Sequence, residues 1–263
     1  MSKLKEILDH KRAEVAARKV EVPLLGVVES LQQALPSRPF ADAIRSSATR
    51  SLACIAEIKR ASPSKGIIAK HFRPETIAKE YEQGGASALS ILTDEKFFLG
   101  SAEYLRSVRE RTSLPILRKD FIVDEYQIYE SRVMGADAIL LIVAALKESD
   151  LLKFMTLARD LDLECLVECH KKTEIDRAVN CGATMIGVNN RDLDTFEVSL
   201  ETSVMLKRFI PNAAVSVSES GIRNAHHVDL LREAGYDAIL VGEVLMSQEN
   251  RARGIAELLR TRA

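Results

Sequence analysis

Acids and bases stand together at the ends of apolar runs in this chain. The run 52–58 carries Glu57 near its end and is followed at once by Lys59. Alternate side chains of an extended strand share a face, so Glu57 and Lys59 point the same way. The run 114–117 leads into Arg118-Lys119-Asp120-Phe121, the run 163–168 ends on Glu168, and the run 213–217 leads into Ser218-Glu219-Ser220-Gly221. Charges facing a partly dry cavity are costly unless paired or used. Lysines among carboxylates there stabilise one another and have perturbed proton affinities, as groups in a functional site do. One lysine or glutamate at a strand end is ordinarily just solvated. Lys59, Lys119, Glu168 and Glu219, at the same end of four strands, point instead to one charged layer in one site. Arg60, Arg118 and Asp120 are expected to pair with neighbours around the rim.

The elements that must position these groups have a rhythm. A helix-ending glycine followed by an apolar strand recurs at Gly85, Gly135, Gly182 and Gly235. The runs 52–58, 114–117, 163–168 and 213–217 interleave with these strands, and helical stretches such as 74–83, 125–134 and 148–161 separate successive strands. Eight strands alternating with helices imply an α/β fold with a parallel sheet, and 263 residues suit a single (β/α)8 barrel. An open doubly wound sheet would carry a G-x-G-x-x-G turn, and none follows any strand. In a barrel the C-terminal strand ends form the working mouth, and the loops after strands seven and eight commonly hold a phosphate on backbone N–H groups. Here those loops begin Ser220-Gly221 and Gly242-Glu243. Lys59, Ser62 and Ser64 from the first loop complete such a cage. Arg191, close after Asn189, suits recognition of a carboxylate.

Composition narrows the class further. Hydrophobic residues make up 46% and charged residues 29%, with a net charge of −1, so nothing global favours nucleic acid or an anionic membrane. No run approaches membrane-spanning length and the start lacks a signal-peptide core, so the expected compartment is the cytoplasm. Cys54, Cys165, Cys169 and Cys181 form no C-x-x-C pair and read as buried reduced thiols, so no metal is expected. The five histidines are scattered and receive no role. Residues 3–19 read as an amphipathic helix with Leu4, Ile7, Leu8 and Val15 as its apolar stripe, and 41–47 as a second short helix. The whole chain, 1–263, is expected to be one domain, with 1–48 a helical N-terminal extension.

The chain resembles the indole-3-glycerol phosphate synthase family over essentially its whole length. The resemblance is carried by IAEIKRASPSKG at 55–66, LRKDFIVDEYQI at 117–128, GADAILLI at 135–142, LVECH at 166–170, IGVNNRDLDTFEV at 186–198, VSESGI at 217–222 and LVGEVLM at 240–246. It implies a carboxy-lyase of tryptophan biosynthesis that needs no cofactor. The implied reaction converts 1-(2-carboxyphenylamino)-1-deoxyribulose 5-phosphate to indole-3-glycerol phosphate, carbon dioxide and water. Family catalytic positions fall on Glu57, Lys59, Lys119, Glu168, Asn189, Glu219 and Ser220. Phosphate positions fall on Ser62, Ser220, Gly221 and Gly242, and apolar ring contacts on Phe98, Phe121, Leu140, Leu193 and Leu240. Glu243 stands where some members have a small residue, so its side chain is expected to turn away from the phosphate.

The implied leader packs over the barrel mouth, so a chain lacking residues 1–45 is expected to fold but turn over poorly. Which of Glu57 and Glu168 is the base, and which lysine the acid at each step, is open at this level. The expected partner is the small phosphosugar alone; a monomer is the default, with a homodimer left open. Three other readings compete. A phosphosugar isomerase would want a Cys–Asp pair at strand tips, whereas Cys54 lies inside its strand. A Schiff-base aldolase would use Lys119 as nucleophile. A non-catalytic scaffold would not need so many mouth charges.

Overall fold

Eight short, mostly aliphatic strands close into an all-parallel barrel in chain order. They are β1 (Ala53–Ile58), β2 (Ala88–Leu92), β3 (Ile116–Lys119), β4 (Ala138–Ile142), β5 (Glu164–Cys169), β6 (Met185–Asn189), β7 (Val215–Glu219) and β8 (Ala238–Val241). The last strand pairs back on the first, with Ala53 beside Ala238 and Ala56 beside Val241. The computed structural model describes residues 3–48, 52–63, 65–69, 71–192 and 195–260.

Three helices precede the barrel: α1 (Lys3–Glu21), α2 (Leu24–Ser30) and α3 (Phe40–Ala48). A small hairpin, Ala61–Ser62 with Gly66–Ile67, follows β1. The outer layer is then α4 (Pro74–Gln83), α5 (Glu95–Phe98), α6 (Ala102–Arg109), α7 (Glu125–Met134), α8 (Glu148–Asp160), α9 (Lys172–Asn180), α10 (Glu201–Leu206), α11 (Ala225–Glu233), α12 (Glu243–Met246) and α13 (Arg251–Leu259). Each predicted strand is present and starts slightly later than expected; in β2, β4, β6 and β8 the turn after the helix-ending glycine consumes the difference. Gly135 shows the reason: it terminates α7 in the left-handed region, φ 89°, where a side chain would be strained.

Strand alternation splits the core in two. Outward residues such as Cys54, Ala56, Ile139, Leu141 and Ile186 pack against the helical layer. Inward residues fill the barrel, among them Ile55, Leu117, Leu166 and Val217. The next inward position on each of those four strands is Glu57, Lys119, Glu168 or Glu219. Four odd-numbered strands thus contribute one charged layer above an apolar one, as alternate-strand layering requires.

This corrects the expectation for Lys59, which stands two residues past Glu57 and one level above the layer. It also corrects Arg118. That residue is fully buried behind the barrel wall, not on the rim, donating to Thr93 Oγ1 at 3.1 Å, Gln127 O at 2.9 Å and Ser131 Oγ at 3.0 Å.

The leader does two jobs at opposite ends. Helix α1 crosses the mouth, where Lys3, Leu4 and Ile7 line the cavity. Helix α2 runs down the flank, Val27 packing with Tyr126 of α7. Helix α3 plugs the bottom: Phe40, Ala41 and Ile44 join the barrel interior beside Ala53, Ala88, Ala138 and Ala238, first residues of their strands. Backbone N–H groups there are met by bottom-edge acids, Arg38 N by Asp137 at 2.6 Å and Phe40 N by Glu164 at 2.6 Å. The expectation of a separable leader therefore changes, because residues before 45 belong to the barrel's own core.

Candidate active site

The charged layer floors a cavity whose walls hold most of the residues singled out in the sequence. Lys119 Nζ lies 2.9 Å from Glu168 Oε2 and 2.9 Å from Glu219 Oε2, an ammonium shared by two buried carboxylates. Burial works to lower its proton affinity, but Glu168, Glu219 and Glu57 outweigh it and raise it well above the ordinary lysine range. Lys119 is therefore a firmly charged donor.

The two carboxylates differ. Burial pushes each up; for Glu168, Lys119, His170 and a hydrogen bond from Asn189 win and hold it at about 2. Glu219 has Lys119 but also the negative charge of Glu168, and it is pushed up to about 7. Its Oε1 is buried and has no hydrogen-bond partner among the described residues. One anion and one proton carrier thus share one lysine.

Above this layer Lys59 Nζ meets Glu57 Oε1 at 2.5 Å, and both line the cavity. Asn189, at the end of β6, uses its side-chain oxygen to accept from Arg191 N at 3.0 Å. Arg191 lines the mouth near Glu243, at 3.9 Å. The rings of Phe98 and Phe121 face each other at 6.1 Å between centroids, and Leu140 and Leu240 complete the apolar wall.

The turn after β7 brings backbone to the cavity. Ser220 and Gly221 both have left-handed φ, 66° and 80°, and both line the cavity wall. A serine held there is strained and persists because its surroundings impose it. Asn190 imposes it, donating to Ser218 Oγ at 3.0 Å, Glu219 O at 2.9 Å and Ser220 O at 3.1 Å. Gly242 lies under Glu57: a Cβ there would sit 2.6 Å from Glu57 Oε1. Glu243, half-exposed, sits 3.3 Å from Lys65 Nζ at the rim. Ser62 lies in the hairpin strand Ala61–Ser62, half-buried, while its neighbour Pro63 lines the cavity. Leu193 and Ser64 lie outside the described residues.

Several participants escaped the sequence reading. Lys11, on the buried face of α1 with Ile7, Leu8 and Val15, pairs with Asp94 at 2.9 Å and Asp120 at 3.0 Å. Asp94 caps α5, accepting from Phe97 N, and Asp120 accepts from Phe121 N, so one ammonium ties α1 to both ring-bearing loops. A charged residue inside an apolar i, i+4, i+8 row (Ile7, Lys11, Val15) was the available signal. Asn190 and His170 carried no local signal of this kind, since their partners lie on other strands and helices.

Two substitutions probe this geometry. Lys11→Met leaves Asp94 buried without its cation and Asp120 with Arg118 alone, at 3.2 Å, and is expected to cost about 3–5 kcal/mol of stability and to raise KM more than it lowers kcat, checked by thermal melts and steady-state kinetics. Gly187→Ala would drive a Cβ into Glu219 Oε1 and to 3.2 Å from Leu166. Displacing that carboxylate is expected to lower kcat about 10²-fold, since small misplacements at a reacting centre are that costly.

A family model described as indole-3-glycerol phosphate synthase matches residues 4–258. The indole-3-glycerol phosphate synthase of Chloroherpeton thalassium is 52% identical over 254 residues, 96% of this chain and 97% of that protein. That of Chlorobium luteolum is 51% identical over 249 residues, 95% of each. Among solved structures, thiamine phosphate pyrophosphorylase from Pyrococcus furiosus superposes with a TM-score of 0.58 at 18% identity, over 81% of this chain and 95% of that one. KGPDC from Streptococcus mutans does so at 0.62 and 12% identity, over 80% and 96%. At such identities the likeness is one of barrel fold. On the family match and these relatives together, the chain belongs to the indole-3-glycerol phosphate synthase family and is a lyase of tryptophan biosynthesis.

Proposed function

We propose that the mouth cavity closes the indole ring of 1-(2-carboxyphenylamino)-1-deoxyribulose 5-phosphate with Lys119 as the acid and Glu219 as its proton reserve. The observation that carries this reading is Lys119 Nζ at 2.9 Å from both Glu168 and Glu219, at the floor of a cavity bordered by the Ser220–Gly221 turn.

The substrate phosphate rests on the N–H groups of Ser220 and Gly221 and at Gly242–Glu243, with Lys59 and Ser62 on that side. Its ring lies against the apolar wall of Phe98, Phe121, Leu140 and Leu240. The ring carboxylate goes to Arg191 and to the remaining amide hydrogen of Asn189. Anchoring both ends folds the substrate so that ring carbon and ketone meet, an orientation effect worth several kcal/mol, on the order of 7–11 at the limit.

Attack on the ketone builds negative charge on its oxygen and positive charge at the ring nitrogen. Lys119 donates to the oxygen and is reprotonated by Glu219; Glu168, ionised throughout, faces the cationic nitrogen. Loss of carbon dioxide restores the aromatic ring and needs no base. In the dehydration Lys59 protonates the leaving hydroxyl and Glu57, its partner at 2.5 Å, takes the last proton.

The test is formation of indole fluorescence from that substrate by the purified chain; no product under any pH would remove the assignment. Residues 1–263 act as one domain in this reading. A monomer is the working unit in this reading; specific activity that falls on dilution would show otherwise. The cytoplasm is the compartment we assign; no described helix is long and apolar enough to cross a membrane.

The rival readings lose support from the same geometry. A Schiff-base nucleophile must be a neutral amine, and the two carboxylates keep Lys119 charged. An isomerase thiol at Cys54 would have to act from a fully buried, outward-facing position where burial pushes it up to about 12.

A further inference from the structure

Strand β5 ends at Cys169 and His170 follows it, two residues past Glu168 and on the same side of the chain, one step nearer the mouth. Its Nε2 lies 3.5 Å from Glu168 Oε1, and its Nδ1 lies 3.4 Å from Glu174 Oε2 in the first turn of α9. The same Glu174 oxygen accepts the backbone N–H of His170 at 2.7 Å, and Lys171 Nζ stands 3.6 Å from the other. Both ring nitrogens are buried, and so are both carboxylates. A neutral imidazole offers one donor and one lone pair, so between two carboxylates one nitrogen would face like charge. Only the imidazolium suits both sides. Glu168 therefore has two cations and an amide, whereas Glu219 has Lys119 alone.

We infer that His170 is a positioning residue: clamped by Glu174, its imidazolium keeps Glu168 the anion of the Lys119 pair and leaves Glu219 as the proton carrier. This rests on the proposed reaction and deepens it by explaining why two equivalent carboxylates take different roles. The charges facing His170 agree in sign. Burial works to lower its proton affinity, but Glu174, Glu168 and Glu219 outweigh it and raise it above the ordinary histidine value. The ring thus keeps its charge to higher pH than an ordinary histidine, and loses it as pH rises through that raised value.

His170→Gln removes the charge and keeps a donor. Glu168 then protonates more readily and the pair shares its proton, so the acid limb of kcat/KM against pH is expected to move up by about one pH unit. A one-unit move means about tenfold lower kcat/KM on the acid side, with KM at high pH unchanged. Glu174→Gln, which spares the imidazole but loosens its clamp, is expected to move the limb the same way by less. It also serves if His170→Gln does not fold. A loss that is uniform across pH, with the limb where the wild type has it in both variants, would reduce His170 to a packing residue and overturn the inference. The imidazole titration of the wild-type chain, read by NMR, gives a result independent of turnover. A His170 neutral at pH 6 overturns the inference even in an active enzyme. A charged His170 in a wild-type chain that makes no indole supports the clamp and sinks the reaction instead.

Discussion

Replacing Lys119 by glutamine is expected to lower kcat by about 10³-fold, within the range of a lost general acid and a lost oxyanion donor, while KM moves little. The donor acts on charge that develops only in the transition state, so its removal appears in kcat. Steady-state indole fluorescence checks this, and normal turnover by the variant would remove Lys119 from the acid role. Stability should respond with a definite sign. Without the ammonium, Glu168 and Glu219 face each other with one cation fewer, and their folded-state proton affinities rise above the unfolded value of 4.5. A carboxylate raised in the folded state stabilises below its unfolded pKa and loses that contribution as pH rises. The variant's deficit in melting temperature should therefore widen from pH 5 to pH 8. A deficit that is constant across that window would contradict the shared-ammonium geometry.

Deleting residues 1–45 is expected to abolish folding, whereas deleting 1–22 should leave a folded barrel with poor turnover. The longer deletion removes Phe40, Ala41 and Ile44, which fill the barrel bottom with almost no exposure. Loss of a buried Phe costs about 3–5 kcal/mol and of a buried Ile about 2–5, against a typical total of about 5–15. It also strips Asp137 and Glu164 of the leader's backbone N–H groups, those of Arg38 and Phe40. The shorter deletion removes α1, with Lys11 and the mouth-lining Lys3, Leu4 and Ile7, and leaves the plug in place. Circular dichroism melts and kcat on both truncations decide. A cooperative melt for the longer one would show that α3 is dispensable.

Much of this protein was legible before any tertiary structure, for two physical reasons. Strand periodicity and helix-ending glycines are local signals, so the eight βα units and their order could be read directly. Layering by alternate strands then places every second strand's terminal charge in one cavity. That is how Lys119, Glu168 and Glu219 were found together, and how Ser220, Gly221 and Gly242 fell on the two loops after the last strands.

What the tertiary structure alone decided are the pairings between elements distant in sequence. Whether Glu57 or Lys59 joins the layer depends on where β1 stops relative to its neighbours, a register set by the whole barrel. Arg118 points outward because it alternates with Leu117 and Lys119, and its partners come from α7 and the loop after β2. Lys11 finds its partners, Asp94 and Asp120, only where α1 meets the barrel mouth, and His170 gained a role only between Glu168 and Glu174. Local patterns fix the face a residue occupies; the proton affinity of a buried group depends on charges brought near it from elsewhere in the chain, and only closure of the barrel brings them.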